Sequence, residues 1–217
     1  TVAPMGMAAS PRQINEVRDE LGLEPIERLG DLLDRVECVI VTVPAALDQT
    51  ATVPSNVTYV GPVFEPAGDD AGWEPPPGDG PLIVVSLGTT DMDELPVLSK
   101  VLDALAHEHA RVFATAGAHT DPPAIPTHGN ATLSRFVQHA AVLPHADLVI
   151  SHGGIGTALA AMAHGVPVLF LPLGRDQPVN AKAIAALGAG VVLSPSTSPG
   201  QIARAAEALL SDPAYRT

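Results

Sequence analysis

Short apolar runs alternate with longer amphipathic segments from residue 81 to the end of the chain. The runs have the length of strands, and the segments between them repeat apolar residues at helical spacing. The predicted strands cover residues 82–87, 111–115, 131–136, 148–150, 168–171 and 190–193. The predicted helices cover residues 95–106, 140–144, 157–163, 179–187 and 199–210. This alternation predicts an α/β fold with a parallel sheet that carries helices on both faces.

The beginning of the chain predicts fewer elements. Ser10 is a suitable N-cap, and Pro11 a suitable first-turn residue, for a helix that ends near Leu21. A second helix is predicted over residues 26–36, and strands over residues 38–43 and 57–60. Two helices and two strands are too few for an independent core, so this part is interpreted as the tail of a larger domain.

A segment rich in proline and glycine separates these two parts. Residues 62–80 are interpreted as a linker, because their prolines and glycines prevent a regular hydrogen-bond ladder. Trp73 is the single tryptophan of the chain and is predicted to anchor this linker on a domain surface.

Composition restricts the possible partners and the compartment. The chain has 217 residues, 46% of them hydrophobic, which excludes general disorder. No apolar run is long enough to span a membrane and no export signal is recognisable, so we expect a cytoplasmic protein. The formal charge of −13 argues against nucleic acid and stable membrane association. Cys38 is the single cysteine, and we predict a buried thiol on a strand.

A glycine turn is the clearest candidate for a binding site. The predicted strand over residues 148–150 ends shortly before Gly153 and Gly154, and a helical pattern follows them. Glycines allow a ligand to approach the backbone, and the start of a helix offers unpaired amides, so this turn predicts a phosphate site. The alternative is a structural loop without a ligand. The residues assigned to the phosphate site here are His152, Gly153, Gly154, Gly156 and Thr157.

Several motifs together resemble the donor-binding signature of the nucleotide-sugar glycosyltransferases. This family includes the UDP-glycosyltransferases and the bacterial macrolide and aglycone glycosyltransferases. The matching residues are Ser86-Leu87-Gly88-Thr89, Phe136-Val137-Gln138-His139, Pro144-His145-Ala146-Asp147, the glycine turn, Gly165-Val166-Pro167, and Asp176-Gln177 with Asn180. The likeness extends weakly over nearly the whole chain.

The resemblance implies a GT-B arrangement, in which two Rossmann-like domains face each other across a cleft. It implies that residues 1–61 are the tail of the N-terminal acceptor domain, residues 62–80 the interdomain linker, and residues 81–217 the nucleotide-sugar donor-binding domain. The family's general-base histidine would lie before Thr1, in a missing N-terminal domain, so no catalytic residue is expected in this chain.

The resemblance also assigns individual roles. Phe136 would stack on the nucleobase, with Val137 contacting the base through its backbone; the alternative for Phe136 is a place in the core. Thr89 and Thr90 would bind the diphosphate, or else cap the following helix. Asp176 and Gln177 would bind the sugar hydroxyls, although Asp176 is also suited to capping a helix. His139 stands where relatives often have glutamine.

Ala160 is the clearest departure from the family pattern. Many relatives that use UDP-sugars have glutamate there to bind the ribose hydroxyls, and a methyl group cannot replace that acceptor. We therefore favour TDP over UDP. The implied reaction transfers a hexose or deoxyhexose from a nucleoside-diphosphate sugar to a hydroxyl of a small-molecule acceptor with inversion. No cofactor and no metal are expected. The alternatives are the donor-binding subunit of a split glycosyltransferase and a lipid-linked N-acetylglucosaminyltransferase.

Overall fold

The chain folds into two compact units. A computed structural model describes residues 10–48, 52–64, 73–88, 94–117, 125 and 127–216. The first unit comprises residues 1–63 and the second residues 64–217. Within the described parts of both units, no helix combines the length and apolar character needed to cross a membrane.

The first unit contains two helices and a small sheet. Helix α1 (Pro11–Glu20) has the predicted N-cap: the backbone amide of Gln13 donates to Ser10 Oγ, and the Gln13 side chain accepts from the Ser10 amide. Helix α2 covers Gly30–Asp34. Strands β1 (Val39–Val41) and β2 (Val57–Tyr59) pair in parallel.

Two predictions for this unit are wrong. The second helix is shorter than residues 26–36, because the Asp31 carboxylate accepts hydrogen bonds from the amides of Glu27 and Arg28 and holds them in a turn. Cys38 is exposed and precedes β1. The strand does not bury it, because β1 pairs with β2 alone in a two-stranded sheet.

The second unit is built on a parallel sheet of six strands, which confirms the predicted fold class. The strands are β3 (Leu82–Ser86), β4 (Arg111–Thr115), β5 (Ala131–Ser134), β6 (Leu148–Ser151), β7 (Val168–Phe170) and β8 (Gly190–Val192). Their order in the sheet is β5-β4-β3-β6-β7-β8. All five neighbouring pairs are parallel.

Helices cover this sheet on both faces. They are α3 (Leu95–Leu105), α4 (His139–Val142), α5 (Ile155–Ala163), α6 (Gln177–Ala186) and α7 (Pro199–Ser211). Ile83 and Val85 pack into the main core cluster with residues of α3 and α7. Val84, which points to the opposite face of β3, is only 1% exposed. Burial on both faces explains why these strands are continuous apolar runs.

The end of the predicted linker packs on the second unit. The Trp73 ring lies edge-on to Phe113 at a centroid distance of 5.5 Å and beside His145 at 5.6 Å. The Arg111 guanidinium donates to the carbonyl oxygens of Gly80 and Pro76. Residues 73–80 therefore follow the surface of this unit, as the anchoring role predicted for Trp73 requires.

Candidate functional site

The order in which strands are added to the sheet reverses between β3 and β6. Strands β3, β4 and β5 extend to one side, and β6, β7 and β8 extend to the other. Ser86 and Ser151, the last residues of β3 and β6, are register partners. In open α/β sheets such a switch point opens a crevice at the carboxyl ends of the strands, where ligands bind. The predicted glycine turn begins at this point.

Gly153 joins this turn to helix α6. Its φ of +93° is favourable for glycine, and a Cβ atom there would lie 2.9 Å from the carbonyl oxygen of Gln177. Its amide donates to Ser151 Oγ at 3.2 Å. Only a glycine allows the turn to approach α6 this closely.

Gly154 contacts the imidazole of His152. Gly154 is the N-cap of α5 and has an ordinary φ of −60°, but a Cβ atom there would lie 2.7 Å from His152 Nε2. A Cβ atom at Gly88 would lie 3.2 Å from the same nitrogen. His152 thus packs between backbone that follows β3 and backbone that precedes α5.

Helix α5 presents unpaired amides beside this histidine. Ala158 N–H donates to the Gly154 carbonyl, so the amides before Ala158 precede the helical ladder. Gly156 is exposed, and a Cβ atom there would meet nothing within 4 Å. Thr157 is 9% exposed, so its hydroxyl is less accessible than the sequence suggested. The available donors here are mainly backbone groups.

The surroundings of His152 lower the pKa of its imidazole. Burial lowers the pKa of His152 below its usual 6.5, while a hydrogen bond with the Ser86 backbone and the carboxylates of Asp176 and Glu94 act in the opposite direction. Its Nδ1 is buried and has no hydrogen-bond partner. An imidazole beside the first amides of α5 can donate a hydrogen bond to an anion that binds there.

Asp176 and Gln177 start helix α6 across from the turn. Gln177 is 4% exposed, and its Oε1 accepts the amides of Leu173 and Gly174 at 2.8 and 3.0 Å. These bonds hold a loop in which Arg175 has a φ of 56°, which is uncommon for a side chain of this size. Asp176 occupies the N-cap position, but its side chain makes no capping hydrogen bond, so the capping alternative is wrong.

The predicted base-binding residues lie at the other side of the sheet. Phe136 follows β5 and is 62% exposed, so the alternative that it belongs to the core is wrong. Val137 is half-buried beside it. Strands β4 and β3 separate β5 from β6, so a ligand that touches Phe136 and the glycine turn must extend across both strand ends. Thr89 and Thr90 lie outside the described residues.

The sequence interpretation gave two residues at the site no individual role, although Asn180 was part of a matching motif. Asn180 donates from Nδ2 to the Gly153 carbonyl at 3.2 Å and to Asp176 Oδ2 at 2.8 Å. Its place four residues after Asp176 on one helix face was the available signal. Glu94, the N-cap residue of α3, is 8% exposed and approaches Gly117, and the sequence carried no sign of this. No group of three or more His, Cys, Asp or Glu among the described residues could hold a metal ion.

Comparison with known proteins identifies the family of this α/β unit. Residues 99–217 match the model of the C-terminal domain of erythromycin biosynthesis protein CIII-like proteins. The chain belongs to this family. The second unit is therefore an erythromycin biosynthesis protein CIII-like C-terminal domain, and the predicted likeness to macrolide and aglycone glycosyltransferases is confirmed.

Two curated proteins resemble most of this chain. 4'-Demethylrebeccamycin synthase of Lentzea aerocolonigenes is 33% identical over 218 residues, which cover 94% of this chain and 50% of that protein. Demethyllactenocin mycarosyltransferase of Streptomyces fradiae is 30% identical over 160 residues, or 73% of this chain and 35% of that protein. The chain spans half or less of the length of these two relatives.

Solved structures of glycosyltransferases share the fold. The glycosyltransferase of kitacinnamycin has a TM-score of 0.83 and 27% identity, and the match covers 95% of this chain and 54% of that one. Glycosyltransferase VinC, solved in complex with DTDP, has a TM-score of 0.62 and 25% identity over 82% of this chain and 45% of that one.

Proposed function

We propose that this chain binds the nucleotide-sugar donor of a glycosyltransferase that transfers a hexose or deoxyhexose to a hydroxyl of a small-molecule acceptor. The observation that carries this proposal is the glycine turn at the switch point of the sheet. There the half-buried imidazole of His152, the unpaired amides of α5 and the Asp176 carboxylate come together, in a chain whose relatives are natural-product glycosyltransferases.

The turn is suited to hold the leaving group. During transfer the acceptor oxygen bonds to the anomeric carbon with inversion, the bond from that carbon to the diphosphate oxygen breaks, and the proton of the hydroxyl passes to a base. Negative charge then increases on the diphosphate. Amides that already point at this charge, with His152 beside them, stabilise the transition state by several kcal/mol, on the order of 3 for each strong donor.

The sugar hydroxyls are proposed to bind at Asp176. The Gln177 carboxamide oxygen already accepts hydrogen bonds from two backbone amides, so this side chain holds the loop that presents Asp176.

We propose that the base comes from a segment beyond this chain, in an N-terminal acceptor domain to which the first unit belongs. Exposed apolar side chains in the first unit support this proposal. Among its described residues only Ile26 is a buried apolar residue, whereas Val17, Leu21 and Ile40 are more than half exposed.

A thymidine nucleotide is the proposed donor nucleotide. Ala160 lies on α5 and is half-buried, and its methyl group offers no acceptor for a ribose 2′-hydroxyl. The related glycosyltransferase VinC was solved with DTDP. The nucleotide sugar acts as a co-substrate, and no bound cofactor is part of the proposal.

Calorimetric titration of the chain with TDP and UDP tests this function. We expect TDP to bind at least as tightly as UDP, and Ala160→Glu to shift the preference toward UDP by about 1 kcal/mol, the size of a net hydrogen bond. Absence of binding by either nucleoside diphosphate would refute the donor-binding role. A strong preference for UDP in the unmodified chain would refute the thymidine assignment alone.

The Phe136→Ala variant is a second test of this function, and Phe113→Ala is its control. The exposed ring is free to stack on a base, so its loss should weaken TDP and UDP equally, by on the order of 1 kcal/mol, and leave the melting temperature nearly unchanged. Phe113→Ala removes a ring that is 3% exposed and should instead destabilise the fold by about 3 to 5 kcal/mol.

A further inference from the structure

Asn180 connects the glycine turn to the carboxylate of Asp176. The side chain is 9% exposed, and its Nδ2 donates to the Gly153 carbonyl and to Asp176 Oδ2. Both partners are acceptors, so only the NH₂ end of the amide can face them. The two hydrogens of one nitrogen thus join two groups that lie far apart in the chain.

The bond to Gly153 sets the direction of the next amide. The peptide between Gly153 and Gly154 is trans, so its N–H points away from its carbonyl oxygen. Because Asn180 holds that oxygen toward α6, the Gly154 N–H points away from α6. Gly153 cannot supply this restraint alone, since a glycine has the widest choice of backbone angles.

The bond to Asp176 sets the rotation of its carboxylate. Asn180 occupies Oδ2 at 2.8 Å, and no described residue donates to Oδ1. A carboxylate held at one oxygen presents the other in a defined direction, which lowers the conformational entropy lost when a hydroxyl binds.

We propose that Asn180 is a positioning residue. It holds the glycine turn and the Asp176 carboxylate at a fixed position relative to each other. The proposal rests on the donor-binding function proposed above. It assigns to Asn180 a part in binding both halves of the donor without contact with either half.

The experiment measures the affinity of the whole chain for TDP and for TDP-glucose in four variants. Asn180→Ala removes both donors. Asn180→Asp keeps the shape but places a carboxyl group beside Asp176. Asp176→Asn replaces the carboxylate that we propose binds the sugar hydroxyls. The matched control is Asn130→Ala, because Asn130 Nδ2 also bridges two acceptors, the carbonyls of Leu105 and Ala110, away from the site.

A positioning role predicts losses on both sides of the donor. Asn180→Ala should weaken TDP by on the order of tenfold, and should reduce the extra affinity for TDP-glucose over TDP as well. Asp176→Asn should reduce the extra affinity for TDP-glucose over TDP by more than it changes the affinity for TDP itself. Asn130→Ala should lower the melting temperature and change neither affinity.

The pH profile of Asn180→Asp supplies a readout that a general loss of stability would not produce. The titratable groups around this position are Asp176 before α6, His152 after β6 and Glu94 before α3. The exposed Arg175 directly precedes Asp176 in the sequence. Two adjacent carboxyl groups share a proton at low pH, and the protonated group can again donate to its neighbour. TDP affinity of this variant should therefore recover as the pH falls from about 8 to 5.5, relative to the unmodified chain at each pH.

The possible failures separate the two proposals. If the unmodified chain binds neither ligand, the donor-binding function is wrong. If it binds both and Asn180→Ala binds them equally well, the positioning role is wrong. Unfolding of both Asn180 variants, while Asn130→Ala folds, would make Asn180 a requirement of the fold and would also overturn the positioning role.

Discussion

At the residue scale, two adjacent glycines serve different purposes. Gly153 needs its positive φ and faces the backbone oxygen of Gln177, which cannot move without displacing α6. Gly154 has an ordinary φ and faces the imidazole of His152, which is a side chain. The first glycine therefore supports the fold, whereas the second makes room for the histidine.

Substitution by alanine should separate these two purposes. We expect Gly153→Ala to lower the free energy of unfolding by on the order of 1 to 3 kcal/mol, because it combines a strained backbone with a contact to a fixed carbonyl. Gly154→Ala should cost less stability but weaken TDP binding by displacing His152. Urea denaturation and calorimetry measure the two effects, and equal loss of stability in both variants would contradict this division.

The larger Gly154→Val substitution should reduce TDP affinity more than His152→Ala. A branched side chain crowds both the imidazole and the place where the diphosphate meets the amides. Loss of the histidine removes one hydrogen bond, on the order of 1 to 3 kcal/mol. If a folded Gly154→Val variant, checked by circular dichroism, binds TDP normally, the phosphate binds elsewhere.

The low pKa of His152 predicts two effects of pH. A group whose pKa is lowered by folding binds more protons when unfolded, so stability should fall as the pH drops through 6.5 toward the folded value. A bound diphosphate raises the pKa of His152, so TDP binding near pH 6 should take up protons. Calorimetry in buffers of different ionisation enthalpy measures this uptake. His152→Ala is the control. Protons taken up by the nucleotide itself are the same for the unmodified chain and for this variant, so His152→Ala should show a smaller uptake.

At the scale of elements, the pairing of β7 with β8 depends on Gly190. A Cβ atom at Gly190 would lie 2.1 Å from the backbone oxygen of Val168, its register partner in β7. No L-residue with a side chain fits there without moving the strand. Strand β8 stands at the edge of the sheet, so it has no second strand to hold it in place.

Gly190→Ala should therefore loosen this edge of the sheet. We expect a loss of at least about 2 kcal/mol in the free energy of unfolding, with early amide exchange in β8. The control is Gly200→Ala on the exposed side of α7, where the nearest atom to a new Cβ is 3.7 Å away. That change should stabilise the chain by about 0.4 to 1 kcal/mol. Comparable stability of the two variants would refute the role of Gly190.

At the scale of the whole molecule, the second unit contains a complete sheet and the first a small one. The second unit buries its strands on both faces and brings the predicted phosphate turn to the switch point. The first unit has a two-stranded sheet and several exposed apolar side chains. Our functional proposal for these residues is therefore limited to binding of the donor.

The purified chain of 217 residues should bind TDP but transfer sugar poorly. A positioned base contributes about 10² to 10⁴ to the rate, and we propose that this base lies in another segment. The assay incubates TDP-glucose with a panel of alcohol acceptors and detects products by mass spectrometry. Rapid transfer by this chain alone would show that the base lies within it.

The sequence by itself determined the elements of the second unit and the position of its glycine turn. Strands such as 148–150 and helices such as 199–210 could be predicted from local sequence. A buried strand gives a short apolar run, and a helix buried on one face repeats apolar residues at helical spacing. The start of the second helix was predicted at residue 26 but lies at Gly30. The local pattern could not show this, because the Asp31 carboxylate binds the amides of Glu27 and Arg28 in a turn.

Only the tertiary structure decided which distant residues meet at the site. The order of the strands puts Gly88 against the ring of His152 and Asn180 against Gly153, although each pair is separated by several elements. It also left Phe136 exposed and committed the oxygen of Gln177 to loop amides. These contacts follow from sheet order and helix packing, which depend on the whole chain at once and leave no period in its sequence.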